Sequence, residues 1–242
     1  MTYPTLRRHG NVTQLIVQGK PFLVLGGELG NSSASDATEL QSMFEALKRR
    51  HLNTLLVPVY WDRIETQEGR FDFSLVREAI EAARENNLHL VLLWFGTWKN
   101  SMSCYAPGWV KRDTDRFPRV RLRSGEAVEI ISPFSEAARQ ADATAFAALM
   151  RWLKTFDSGR QTVLMVQVEN EIGMIPEPRD YSDCAEAAYR EPVPQALLSG
   201  LADGALGPEV TALWQRSGSR TEGSWSEIFG PDAHGEEVFS AW

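Results

Sequence analysis

The segment Val163-Leu164-Met165-Val166-Gln167-Val168-Glu169-Asn170-Glu171 passes without a spacer from an apolar, β-branched run to acid and amide side chains. Such a run reads as a strand buried on both faces. Polar groups at the C-terminal end of a strand are where parallel α/β barrels place their chemistry. A carboxyl buried there beside other acids is pushed toward its protonated form, which makes a proton donor near neutral pH. Glu171 meets that description, with Glu169 and Glu28 as neighbouring negative charge, and Asn170 adds an amide that can bond a hydroxyl. Spacing alone leaves a plainer alternative open, in which these acids merely begin a polar loop. Tyr60, Trp61, Trp98 and Trp109 fall just past expected strand ends, where rings offer an apolar face and a polar handle. Any one of them alone is more often core than platform.

The elements that must hold these residues alternate in type. Thr13 to Val17 and Phe22 to Leu25, around Gln18-Gly19-Lys20-Pro21, predict an N-terminal hairpin over residues 1–21 that leads into a first strand ending at Gly26-Gly27-Glu28. Leu40, Met43, Phe44 and Leu47 mark a first helix, and Val76, Ala79, Ile80 and Ala83 a second. Between and after them lie two apolar strands, Thr54 to Tyr60 and His89 to Phe95. A long irregular stretch from Gly96 to Pro133 follows. A third helix with Phe146, Leu149, Met150 and Leu153 facing inward then feeds the strand that ends in Glu171. Strand and helix alternating at this spacing predict right-handed βαβ units and a parallel sheet. Beyond Glu171, residues Gly173 to Pro194 read as loop, Pro194 to Leu206 as a short helix, Ser224 to Phe229 as a fifth strand, and Phe239 to Trp242 as the start of another helix.

The chain of 242 residues, 43% hydrophobic, can bury a full core and reads as one domain. A net charge of -7 argues against nucleic acid or an anionic membrane as partner, and the basic stretch from Lys111 to Arg123 reads as a solvated loop. Cys104 and Cys184 are too few for a disulfide framework, although one pair could form. The four histidines show no metal-ligand spacing, and no dinucleotide, P-loop or nucleophile-elbow pattern occurs. No metal or organic cofactor is expected. With Met1 in place, no apolar signal core behind it and no stretch long enough to span a bilayer, the expected compartment is the cytoplasm.

Several segments together resemble retaining (β/α)8-barrel glycosidases, most closely the Gln-Val-Glu-Asn-Glu segment of family 35 β-galactosidases and their family 42 relatives. Here that segment is Gln167 to Glu171. Pro58-Val59-Tyr60-Trp61-Asp62 with Glu65 to Phe73 is similar to the family's second-strand signature. Trp94 to Asn100 with Ala106-Pro107-Gly108-Trp109-Val110 is similar to its third-strand loop, and Gly26-Gly27-Glu28 to its first strand end. One departure stands out: many members carry an acid directly before the third-strand Trp, whereas this chain has Thr97 before Trp98.

The resemblance implies an α/β fold of the (β/α)8 TIM type. With four clear strands and one doubtful one, it is expected to be incomplete, the first four to five β/α units forming the N-terminal portion of one catalytic domain over residues 1–242. The alternative is an open α/β sheet complete as it stands. It implies hydrolysis of terminal β-linked sugars, β-galactosides first, by double displacement, which needs two carboxyls about 5–5.5 Å apart. Glu171 is the expected general acid/base; Glu28, Tyr60, Trp61, Trp98 and Asn170 are the expected sugar contacts. The family's nucleophile is a second Glu ending the seventh strand. Downstream acids such as Glu177, Asp180, Glu222, Glu227, Glu236 and Glu237 end no apolar run, so the nucleophile is expected beyond Trp242. Rival readings are another member of the same clan (a xylanase, mannanase or cellulase) and a degenerate barrel that binds saccharide without cleaving it. The expected partner is an oligosaccharide or β-glycoside.

Overall fold

In the computed structural model, the residues described are 3–100, 103–174 and 177–242. The parts of the expected loops at 101–102 and 175–176, and the first two residues, lie outside them. The chain divides into two compact units. One comprises Met1–Thr97, Tyr105–Arg112 and Gln140–Asn170; the other comprises Trp98–Cys104, Asp113–Arg139 and Glu171–Trp242.

The first unit opens with a small antiparallel sheet of β1 (Thr5–His9), β2 (Val12–Val17) and β3 (Lys20–Pro21). Gln18 and Gly19 both take positive φ, 50° and 79°, as a two-residue turn that matches strand twist requires. The second hairpin partner expected at Phe22 to Leu25 is not a strand. Asn53 pins that segment instead: its side chain donates to the Leu23 carbonyl and accepts from the Leu25 N–H.

Four parallel strands then form one sheet: β4 (Gly26–Glu28), β5 (Thr54–Tyr60), β6 (His89–Phe95) and, after β7 (Arg119–Arg121) and β8 (Ala127–Ile131) of the second unit, β9 (Val163–Val168). Their order is β4-β5-β6-β9, and Tyr60 pairs with Phe95 while Trp94 pairs with Val168. Parallel pairing puts all four C-terminal ends on one side of the sheet. Two amphipathic helices, α1 (Ala37–Lys48) and α3 (Ser74–Glu85), carry the apolar spacing read from sequence, and one-turn α2 (Trp61–Ile64) lies between them in the chain. Asp36 caps α1 by accepting from the Thr38 and Glu39 N–H groups. After α4 (Gly108–Arg112) comes the 21-residue α5 (Glu136–Phe156), most of which belongs to this unit. Phe146 meets Trp94 edge to face, and Trp152 stacks on Phe73. Met150, expected inside, is exposed, because Ala145 and Leu149 already fill the inward stripe.

The fold is therefore α/β with an open parallel sheet, and no closed barrel forms among the described residues. The strand β9 also departs from expectation. It is an outer strand of the sheet, and Met165 and Val168 are 43% and 60% exposed instead of buried on both faces. The physical reason is position: an outer strand lacks the second neighbour that would cover it.

The second unit holds a hairpin, β7 (Arg119–Arg121) with β8 (Ala127–Ile131), inside the stretch expected to be irregular. Its helices are α6 (Asp183–Arg190), α7 (Gln195–Ala202), α8 (Pro208–Arg216), α9 (Trp225–Phe229) and α10 (Ala233–Ala241). The expected fifth strand is thus the helix α9. A capping box decides it: the Ser224 hydroxyl and backbone N–H both engage the Glu227 carboxylate, and Ser224 receives the N3 N–H. Trp225, Ile228, Phe229 and Phe239 join Leu197, Leu198 and Leu201 in this unit's core. The residues read as a helix start at Phe239 are the end of α10, which Asp232 caps. Cys104 and Cys184 are both free thiols. Among the described residues no helix is long and apolar enough to cross a membrane.

Candidate active site

The four strand ends of the first unit differ in how they hold their side chains. At the end of β4, Glu28 is exposed, and the Leu29 N–H extends the pairing to the Leu56 carbonyl at 3.0 Å. At the end of β5, Tyr60 is buried and its hydroxyl accepts from the Ala34 N–H at 3.2 Å. Burial pushes its pKa up to about 12, so the phenol stays neutral. Tyr60 and Phe95 both pack on Tyr105, with ring centroids 5.1 and 5.4 Å away. Tyr105 is the half-buried member of this cluster. Sequence reasoning missed it because it sits in no periodic run.

Trp61, expected as a sugar platform, is instead fully buried at 0% exposure. The single turn of α2 draws it inward, where its indole N–H donates to Glu65 Oε2 at 2.7 Å. Trp109 donates to the Glu65 backbone carbonyl at 3.0 Å and meets Trp61 edge to face. The next residue, Asp62, keeps one carboxylate oxygen buried with no hydrogen-bond partner. Desolvation raises its pKa from the ordinary carboxylate range, against the opposing charges of Lys111 and Arg63.

The end of β6 is built around a residue that sequence reasoning passed over. Asp142, buried on α5, accepts from the Trp94 indole N–H at 2.8 Å and from both the backbone N–H and the hydroxyl of Thr97 at 2.6 Å. Gly96 lies under this knot. A Cβ there would stand 2.3 Å from Asp142 Oδ2, 2.6 Å from Trp94 Nε1 and 2.7 Å from Glu169 Oε1, so only glycine fits. The two carboxylates thus press on one point of the β6 end.

The end of β9 turns sharply. Glu169 and Glu171 take φ of 59° and 41°, in the left-handed region that costs an ordinary residue about 1–2 kcal/mol. Within the first unit, the Gln167 side-chain N–H groups donate to the Glu169 carbonyl at 3.0 Å and to Asn170 Oδ1 at 2.8 Å. This fixes the carboxamide of Asn170 relative to its own strand.

In the second unit, Glu171 is exposed, not buried: its side chain keeps 65% of its surface. The Lys99 Nζ stands 3.5 Å from Glu171 Oε2, and the Trp98 indole N–H donates to the Glu171 carbonyl at 2.9 Å. Trp98, expected to line a pocket, is buried against Val120 and Ile130. Among the described residues, no group of three or more His, Cys, Asp or Glu could hold a metal ion.

Strands β4, β5, β6 and β9 form a parallel α/β sheet whose ends carry acid, amide and aromatic side chains, which is the class of α/β proteins that place polar groups at strand ends. Comparison with known proteins makes the class specific. The family model for "Glycosyl hydrolases family 35" matches residues 14–211, and the chain belongs to that family. It is similar to the β-galactosidase of Xanthomonas manihotis, 29% identical over 195 residues, or 78% of this chain and 30% of that protein. Among solved structures it resembles the β-galactosidase of the psychrophilic Marinomonas ef1, with a TM-score of 0.55 at 15% identity over 81% of this chain and 27% of the other. It also resembles the exo-β-1,4-mannosidase Op5Man5 from Opitutaceae bacterium strain TAV5, with a TM-score of 0.50 at 17% identity over 72% and 28%. The chain therefore spans less than a third of the length of these relatives.

Proposed function

We propose that residues 1–242 are the N-terminal portion of the catalytic (β/α)8 barrel of a retaining exo-glycosidase that releases terminal β-linked sugars, β-galactosides first. The observation that carries this reading is the Glu169-Asn170-Glu171 corner, three polar residues closing a parallel strand within the matched family segment. Glu171 protonates the glycosidic oxygen and later deprotonates the attacking water, while Asn170 bonds the hydroxyl beside the cleaved bond. The Glu171 side chain is exposed and stands beside the Lys99 ammonium, so the donor role is supported by its place in the matched segment and not by the burial expected from sequence. A second carboxylate, outside these residues, forms the glycosyl intermediate. That placement is supported by how the downstream acids are engaged. Asp180 accepts from the Ser132 and Ser182 hydroxyls, Glu236 is held by Arg179, Arg123 and Tyr181, and Glu227 caps its own helix.

Glu28, exposed at the end of β4, serves as a sugar contact in this reading, whereas Tyr60 is buried with its hydroxyl taken up by the Ala34 N–H and is not one. Trp61 and Trp98 are both buried and are not sugar contacts in this reading. The decisive experiment is turnover of aryl and alkyl β-glycosides by the full-length protein and its Glu171→Gln variant. Loss of about 10²–10⁴-fold on substrates with poor leaving groups is expected. Turnover unchanged in Glu171→Gln sinks the assignment, and a panel of β-galactosides, β-mannosides and β-xylosides separates this reading from the rival clan members.

A further inference from the structure

Glu171 is held from two sides by consecutive residues. The Trp98 indole N–H donates to its backbone carbonyl at 2.9 Å, and the Lys99 ammonium stands 3.5 Å from its carboxylate. Both holders are themselves fixed. Trp98 is packed on Val120 and Ile130, with Val128 and Met174 beside them. The Lys99 side chain is only 6% exposed, its backbone N–H donates to the Ser103 carbonyl, and the neighbouring Asn100 is bridged to Ser103. The residue they hold is strained at φ 41° and otherwise exposed.

A left-handed glutamate persists only where its surroundings over-determine it, and these two contacts are what over-determines Glu171. We propose that Trp98 and Lys99 are positioning residues for the proton donor, the indole fixing the backbone corner and the ammonium aiming the carboxylate. This rests on Glu171 being that donor. A long side chain free to rotate holds its carboxyl away from the glycosidic oxygen most of the time, and aiming it removes that loss before substrate arrives.

The test uses the full-length protein with Trp98→Phe, Lys99→Met and Lys99→Arg. Amide exchange over 166–174 should run about fivefold faster in Trp98→Phe and Lys99→Met, the size of one ordinary hydrogen bond. Peptides from 54–60 and 89–95 should not move, and Lys99→Arg should restore the wild-type rate. In turnover, Lys99→Met should lower kcat on an alkyl β-galactoside about tenfold more than on a nitrophenyl β-galactoside, with KM unchanged, because only the poor leaving group needs an aimed proton. Unmoved exchange in both variants, or equal loss on the two substrates, overturns the clamp. Faster exchange in the two variants, with a wild-type protein that cleaves no β-glycoside, overturns instead the glycosidase reading on which the clamp rests.

Discussion

The strands β6 and β9 are neighbours in one sheet and nearly indistinguishable in composition, yet they are built to opposite ends. The central β6 buries every residue but His89, whereas β9 leaves Met165, Gln167 and Val168 exposed. Their C-terminal ends differ in the same sense. Behind Phe95 the chain is knotted onto Asp142 through three donors, while behind Val168 it turns through two left-handed glutamates, one of which is largely exposed. One strand end is locked by hydrogen bonds and the other leaves a carboxylate exposed. The difference comes from sheet position rather than residue type.

Truncation should expose that asymmetry most strongly. Leu92, 0% exposed, pairs with Val166, and Val91 pairs with Met165 on the adjacent row. Leu92→Ala opens a cavity in a packed layer and should cost about 2–5 kcal/mol. Met165→Ala on the outer strand should stay within about 0.5 kcal/mol. Denaturant midpoints of the two variants measure the contrast directly, and similar losses would mean that β9 is as buried in solution as β6.

A smaller effect is expected where the two strand ends meet. Gly96→Ala drives a methyl group onto Asp142 Oδ2 and Glu169 Oε1, and the buried Asp142 has three short hydrogen bonds to lose by moving away. The cost should be about 1–3 kcal/mol, as for overpacking elsewhere. Gly96→Ala combined with Asp142→Ala should recover part of it if the clash is the cause. A double variant no better than the sum of the two singles would place the strain elsewhere.

Much of this was legible in the sequence, for identifiable reasons. The helices α1 and α3 carry uninterrupted apolar spacing, and β5 and β6 carry continuous apolar runs bounded by polar residues. Glu171 and Asn170 could be singled out because they follow an apolar run within a segment that resembles the family's Gln-Val-Glu-Asn-Glu. What failed was context. No pattern in Val163 to Val168 tells an outer strand from an inner one, so burial on both faces was the wrong inference. Trp61 and Trp98 stand where platforms stand, but a one-turn helix and an apolar cluster turn them inward. The α9 helix was misread although Ser224 and Glu227 spell its capping box, because the aromatic run between and after them also suits a strand. Asp142 and Tyr105 gave no signal at all. A single acid on a long helix and a lone tyrosine in a loop acquire meaning only from what the fold brings to them.

The smallest effect concerns the end of β5, which shares features of both neighbours: it is as buried as the end of β6 but carries an unsatisfied acid. The orphaned Asp62 oxygen and its raised pKa have one cause, the loss of water on burial, which Lys111 and Arg63 only partly offset. Because the folded state holds the Asp62 proton more tightly than the unfolded chain does, this residue favours folding at acid pH. That contribution is lost as pH rises from the unfolded carboxylate range through the raised folded value. Asp62→Asn removes the charge without changing the shape. It should raise the melting temperature at pH 7 by up to about 2 °C, since each kcal/mol moves a domain of this size by about 2–4 °C, and the gain should shrink toward pH 4. A gain that stays constant with pH would mean that packing, not ionisation, governs the site. A loss at pH 7 would mean that the carboxylate has a partner at this strand end, a donor held against the acid in the same way that Lys99 is held against Glu171.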